Sequence, residues 1–151
     1  LAKYMLPELI HTSQTYEDFL RAVQGKGLKI IEAKASISLD IGSGASAVFV
    51  APNGTDYEDL NNYSAVLKLT YKDMLFLSAG DAEAVSENEM LLARYNLKAD
   101  VLKVGHHGSD SSTTPEFLTA VSPKYAVISV GKDNDYGHPS PDVLAARLRR
   151  M

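Results

Sequence analysis

Four side chains in this sequence could hold or work beside a cation: Asp81, His106, His107 and His138. A carboxylate and an imidazole both offer a lone pair at neutral pH to a hard or borderline divalent ion. Asp81 closes the run Met74-Leu75-Phe76-Leu77-Ser78-Ala79-Gly80-Asp81. The histidine pair closes Asp100-Val101-Leu102-Lys103-Val104-Gly105-His106-His107. In both, an apolar segment of strand length meets a glycine and then a metal-type ligand, and the glycine lets the backbone turn sharply. A carboxylate can bridge two divalent ions, which lower the pKa of a bound water and, roughly 3.5–4 Å apart, clamp an in-line displacement at phosphorus. Each residue also has a plainer role. Asp81 could cap the helix that follows it, His106 and His107 could be exposed loop residues, and His138 could be a turn histidine before Pro139. Adjacent residues at a strand tip point opposite ways, so at most one of the pair is expected to be a ligand. His11 has no ligand-spaced neighbour and reads as a surface histidine. Asp56, Glu58 and Asp59 lack calcium-loop spacing and read as a solvated loop.

The elements that must position these residues follow from periodicity. The Glu83–Tyr95 stretch reads as a helix, with Val85, Met90, Leu91 and Leu92 inward and Glu83, Glu87, Glu89 and Arg94 outward. Strand, helix and strand would then bring Asp81 and the histidine pair to one edge of a sheet, where open α/β sheets place their sites. Upstream, residues 1 to 14 read as irregular. Thr15 is expected to cap a helix with Tyr16, Phe19, Leu20 and Val23 on one stripe, ended by Gly25-Lys26-Gly27. Strands are expected over 28–32, 36–41 and 47–51, and a hairpin over 65–78 with its turn at Tyr71-Lys72-Asp73. Thr114 and Pro115 open a helix with Phe117, Leu118 and Val121 inward. Tyr125 to Val130 reads as a strand. A last helix starts at Ser140-Pro141-Asp142, with Val143, Leu144 and Leu148 inward and Arg147, Arg149 and Arg150 at its end. The order predicts a mixed sheet with helices outside. No glycine-rich phosphate loop supports a doubly wound nucleotide fold.

The chain has 151 residues, no cysteine and a net charge of −4. That length suits one domain able to bury roughly 70% of its unfolded surface. The absence of cysteine excludes disulfides and thiolate metal sites and leaves the compartment open. The charge gives no basic footprint for nucleic acid, which argues against a binding module more than against a metal-dependent nuclease. No apolar run reaches membrane-spanning length. Leu1-Ala2-Lys3-Tyr4 reads like a cut inside a longer protein.

From about Asn62 to its end, the sequence resembles the metallo-β-lactamase-type hydrolase domain of the ComEC family of late competence proteins. The resemblance is carried by Ser64-Ala65-Val66-Leu67-Lys68-Leu69, Leu77-Ser78-Ala79-Gly80-Asp81, the Asp100–Ser109 stretch, Val127-Ile128-Ser129-Val130-Gly131 and Tyr136-Gly137-His138-Pro139. His11-Thr12-Ser13 with Thr15-Tyr16-Glu17-Asp18 also resembles the stretch just after the family's first metal motif. The resemblance implies an αββα sandwich, incomplete here, over a single truncated domain of residues 1–151. It implies Asp81 as bridging carboxylate and His107 as metal ligand. His106 would then sit behind that ligand or face the scissile phosphate, and His138 would bind phosphate or protonate a leaving group. Two divalent ions, zinc or manganese, would occupy the intact domain. The family's His-x-His-x-Asp-His cluster is absent from this sequence. Asp81 and His107 alone cannot close a site.

The resemblance thus implies the C-terminal portion of a phosphodiesterase or nuclease linked to DNA uptake, itself expected to be inactive and to lie outside the cytoplasm. A non-catalytic interaction or structural module with the same fold is the alternative, and a hydrolase of lactams or thioesters would use the same ligands. Missing strands would leave an unpaired edge and an apolar patch, and with them self-association.

Overall fold

The computed structural model describes residues 3–7 and 13–147. Among the described residues, eight strands form two sheets. The smaller pairs β1 (Lys3–Leu6) with β2 (Lys29–Glu32) in parallel, joined by helix α1 (Gln14–Gly25). The larger has the strand order β3-β4-β5-β6-β7-β8, with β3 at Ser38–Asp40, β4 at Ala45–Ala51, β5 at Val66–Tyr71, β6 at Met74–Ser78, β7 at Val101–Lys103 and β8 at Tyr125–Val127. The pairings from β3 through β6 are antiparallel, and β6, β7 and β8 run parallel to one another. The fold is mixed α/β, as the element order predicts.

The hairpin closes on the two-residue loop Lys72-Asp73, between the paired Tyr71 and Met74. Lys72 takes a positive φ of 54° there, the backbone twist that such tight hairpins demand. The parallel part arises from α2 (Ala84–Leu92) and α3 (Pro115–Val121), each carrying the chain back to start the next strand. Leu75, Leu77, Leu102 and Ala126 from the sheet pack with Met90, Phe117, Leu118 and Val121 from the helices to make the core. On the opposite sheet face Met74, Phe76, Tyr125 and Val127 are exposed.

Several expectations are corrected. The opening stretch read as irregular contains β1, whose ladder partner β2 lies beyond α1 in the sequence. The cap of α1 is Ser13 rather than Thr15; the Ser13 hydroxyl accepts from the Tyr16 amide at 3.2 Å. In α2 Met90 and Leu91 face the core as expected, but the rest of the burial runs against the apolar pattern. Val85 and Leu92 are exposed, Leu92 at 73%, while Glu87 is fully buried. Glu83 is not on an outward face either: it precedes α2 at the N-cap with extended backbone and 14% side-chain exposure. Glu89 is half-buried and accepts a short hydrogen bond from the Tyr57 hydroxyl. The physical reason is a polar neighbour, the 105–114 loop, lying over the start of α2. Glu87 accepts from the Thr113 amide at 2.5 Å and the Thr114 amide at 2.8 Å, satisfying N–H groups that would otherwise be buried without partners. The helix ends at Leu92, short of Tyr95, with Arg94 at φ 57°. Strand β8 stops at Val127, three residues early. The last helix begins with the Ser140 hydroxyl accepting from the Val143 amide; Val143 is buried, but Leu144 is 43% exposed. His11, Leu148, Arg149 and Arg150 lie outside the described residues, as does the Arg147 side chain.

Candidate active site

The carboxyl ends of β6, β7 and β8 lie side by side, and each leads to part of the candidate set. After β6 the chain turns through Gly80, at φ 58°, into Asp81. After β7 it enters Gly105-His106-His107-Gly108, in which both histidines take positive φ, 40° and 54°. The two tips are bonded directly, His106 amide to Gly80 carbonyl at 3.1 Å. After β8 the chain passes Ser129 and the 131–137 loop to reach His138.

Asp81 does not cap α2. That position is Glu83, and it makes no side-chain capping bond. The Asp81 amide donates to the Ser64 hydroxyl at 3.0 Å, which fixes the backbone and leaves the carboxylate at the sheet edge. Its Oδ1 lies 3.6 Å from His107 Nε2 and 4.0 Å from Lys103 Nζ. Lys103 donates to the Gly80 carbonyl at 2.8 Å, and burial pulls its pKa down against the opposing pull of Asp81. His107 Nδ1 donates to the Ser129 carbonyl at 2.6 Å, which leaves Nε2 as the ring nitrogen that faces Asp81. A ring tied back to a backbone carbonyl in this way is the arrangement that metal-binding histidines use.

His106 diverges from its neighbour. Its Nδ1 donates to Glu83 Oε1 at 2.8 Å, and the same oxygen accepts from the Ser111 hydroxyl at 2.8 Å. The His106 ring lies 5.5 Å from that of His138, centre to centre, and 6.3 Å from that of His107. His138 is placed by Asn134, whose side chain accepts from the His138 amide and donates to its carbonyl. Pro139 packs on Gly108, where a Cβ would come within 2.7 Å of the proline Cβ. All four candidate residues therefore meet at one edge, in two pairs: Asp81 with His107, and His106 with His138.

Two members of this cluster were invisible to periodicity. Glu83 reads as a solvated helix residue, and Ser111 as one of five polar loop residues. The signal available for Glu83 was its place just before the first helical residue, where a side chain turns back over the preceding loop. Lys103 carried a weaker signal, a lone cation two residues before Gly105 in an otherwise apolar strand.

This chain is similar to bacterial competence proteins. It is 38% identical over 142 residues to ComE operon protein 3 of Bacillus subtilis, covering 94% of this chain and 18% of that protein. Competence protein ComA of Neisseria gonorrhoeae is 40% identical over 102 residues, covering 66% of this chain and 15% of ComA. Recombination protein 2 of Haemophilus influenzae is 42% identical over 90 residues, covering 60% and 11% respectively. The chain thus spans less than a fifth of the length of these curated relatives. No protein-family model matches it. Among the described residues, no helix is long and apolar enough to cross a membrane.

Proposed function

We propose that this chain is part of a metal-dependent phosphodiesterase or nuclease serving DNA uptake, built on a metallo-β-lactamase-like sandwich. The observation that carries the reading is the approach of His107 Nε2 to Asp81 Oδ1, with the imidazole held from behind by the Ser129 carbonyl. Two donors bound to one ion at roughly 2.0–2.2 Å can lie up to about 4 Å apart. A separation of 3.6 Å therefore suits shared ligation, and the O and N donors suit zinc or manganese alike. Among the described residues no third acid or histidine joins them. The remaining ligands would come from a segment bearing the His-x-His-x-Asp-His cluster. A bound divalent ion would supply a hydroxide at neutral pH and neutralise charge on a phosphate oxygen.

The chain's own residues take the remaining roles. Glu83 accepts from His106 Nδ1 and so presents Nε2 to a substrate oxygen. His138, its ring 5.5 Å from that of His106, would donate to a phosphate oxygen or to the leaving group. The similarity to competence proteins favours DNA as substrate. The test is cleavage of an oligonucleotide with added manganese or zinc by the full-length protein. Asp81→Ala is expected to lower bound metal and to cut cleavage at least about a hundredfold, the scale of losing a transition-state electrostatic partner. Unchanged metal content and cleavage in that variant would remove the reading.

A non-catalytic module with the same fold is favoured by one observation. The Lys103 ammonium lies 4.0 Å from Asp81 Oδ1 and partly meets its charge without an ion. If Lys103→Met raises metal binding while cleavage stays absent in both proteins, the module reading holds.

A further inference from the structure

We propose that Tyr136 is a stacking platform for a nucleobase of single-stranded nucleic acid, next to the phosphate handled by the histidines; this rests on the phosphodiester reading. Tyr136 is 83% exposed, more than any other large apolar or aromatic side chain among the described residues. Water normally drives such a ring into a core or an interface. Its surroundings are nevertheless firmly built. The Asn134 Oδ1 accepts from the Tyr136 amide at 3.2 Å and the His138 amide at 3.1 Å, while Nδ2 donates to the Gly131 carbonyl at 3.1 Å and the His138 carbonyl at 2.7 Å. One amide thus ties both sides of the 131–138 loop. Gly137, at φ 69°, makes the turn that sets Tyr136 above His138. The two rings are stacked, 5.9 Å apart and 19° from parallel.

The result is a flat aromatic surface backed by a histidine on one side and open to water. It stands one ring away from His106. A net charge of −4 gives the chain no general basic footprint to hold a phosphate backbone. Stacking can orient a strand here, because every base has a π-face, and it does so with little regard to sequence. The platform also selects between forms of nucleic acid. A duplex hides its base faces in the stack, whereas a single strand can splay one base onto the ring.

Binding is read by fluorescence anisotropy on the full-length protein, with calcium replacing the transition metal. The probes are a labelled thymidine octamer and the same octamer carrying abasic sites. Tyr136→Ala is expected to weaken octamer binding about tenfold, with Tyr136→Trp within about twofold of the native protein. The abasic octamer should bind the native and Ala proteins alike. The proposal is overturned if the native protein does not prefer the base-bearing octamer, or if Tyr136→Ala binds it normally or weakens both probes equally. Circular dichroism confirms that the exposed substitution leaves the fold intact. Cleavage by the native protein in manganese is scored separately. Stacking without cleavage sinks the phosphodiester reading alone, and cleavage without base preference sinks the platform alone.

Discussion

Glu83 concentrates the consequences at the scale of single residues. Its Oε1 is the common acceptor of His106 Nδ1 and the Ser111 hydroxyl, with the Asn61 side-chain Nδ2 donating to it at 3.4 Å. Removing the carboxylate takes away the acceptor that fixes the imidazole and leaves Nδ1 only the Ser111 hydroxyl, at 3.5 Å. Losing such a supporting contact typically costs 10–100-fold in activity. Glu83→Ala is therefore expected to lower kcat for oligonucleotide cleavage about tenfold or more with little change in KM. Glu83→Gln, which keeps an acceptor oxygen, should recover most of that loss. A kcat equal in both variants would show that the contact only supports the fold. Much of the site at this scale was legible in the sequence. Asp81, His106 and His107 stand out by type and by position after apolar strands, His138 by type at the end of a loop, and the fold sets them at one sheet edge as two pairs. What the sequence could not show was the division of labour. The positive φ values at His106 and His107 turn one ring to Glu83 and the other to Asp81, and no side-chain pattern announces such backbone.

Among the elements, the parallel strands are pinned at the end opposite the site. Asp100 accepts from the Leu75 amide at 2.9 Å and pairs with Lys124 at 2.8 Å, while its carbonyl accepts from the Lys124 and Tyr125 amides. One residue therefore joins the starts of β6, β7 and β8. The hydrogen bond from Lys124, and then that from the Leu75 amide, hold the Asp100 carboxyl below its ordinary pKa. A depressed carboxyl stabilises the fold above its unfolded pKa of about 3.9, and that contribution fades as pH falls through the lower, folded value. Asp100→Asn should then lower Tm at pH 7, with the gap to the native protein closing below about pH 4. A gap constant down to pH 2 would show that the charge is not the cause. The elements themselves were mostly foreseeable. The hairpin, α3 with its Thr114 cap and the crossover through α2 follow from turn chemistry and periodicity. The faces of α2 were not, because Glu87 is buried by bonds to a loop distant in sequence, and tertiary contact overrides amphipathic pattern. β1 was missed for a related reason: its ladder partner lies across a whole helix.

For the whole molecule the asymmetry of the large sheet matters most. Phe76, Val101 and Tyr125 are neighbours across three strands, so one face carries a connected apolar row, bordered on the site side by Ser78, Lys103 and Val127. Such a face favours contact with another surface. Sedimentation of this chain should show association that grows with concentration. The pair Phe76→Asp and Tyr125→Asp should weaken it at least tenfold, about 1.4 kcal/mol. A chain that stays monomeric throughout would remove the expectation of self-association.

The contact between Gly108 and Pro139 carries a lesson for anyone rebuilding this fold. It joins the histidine pair to His138 by shape alone, and the Ser140 amide adds a bond to the Gly108 carbonyl at 2.8 Å. The two segments are halves of one casting, so grafting either onto a foreign scaffold would deliver a loop without its mould. A transplant has to carry both, together with the bare backbone at position 108 that lets them close.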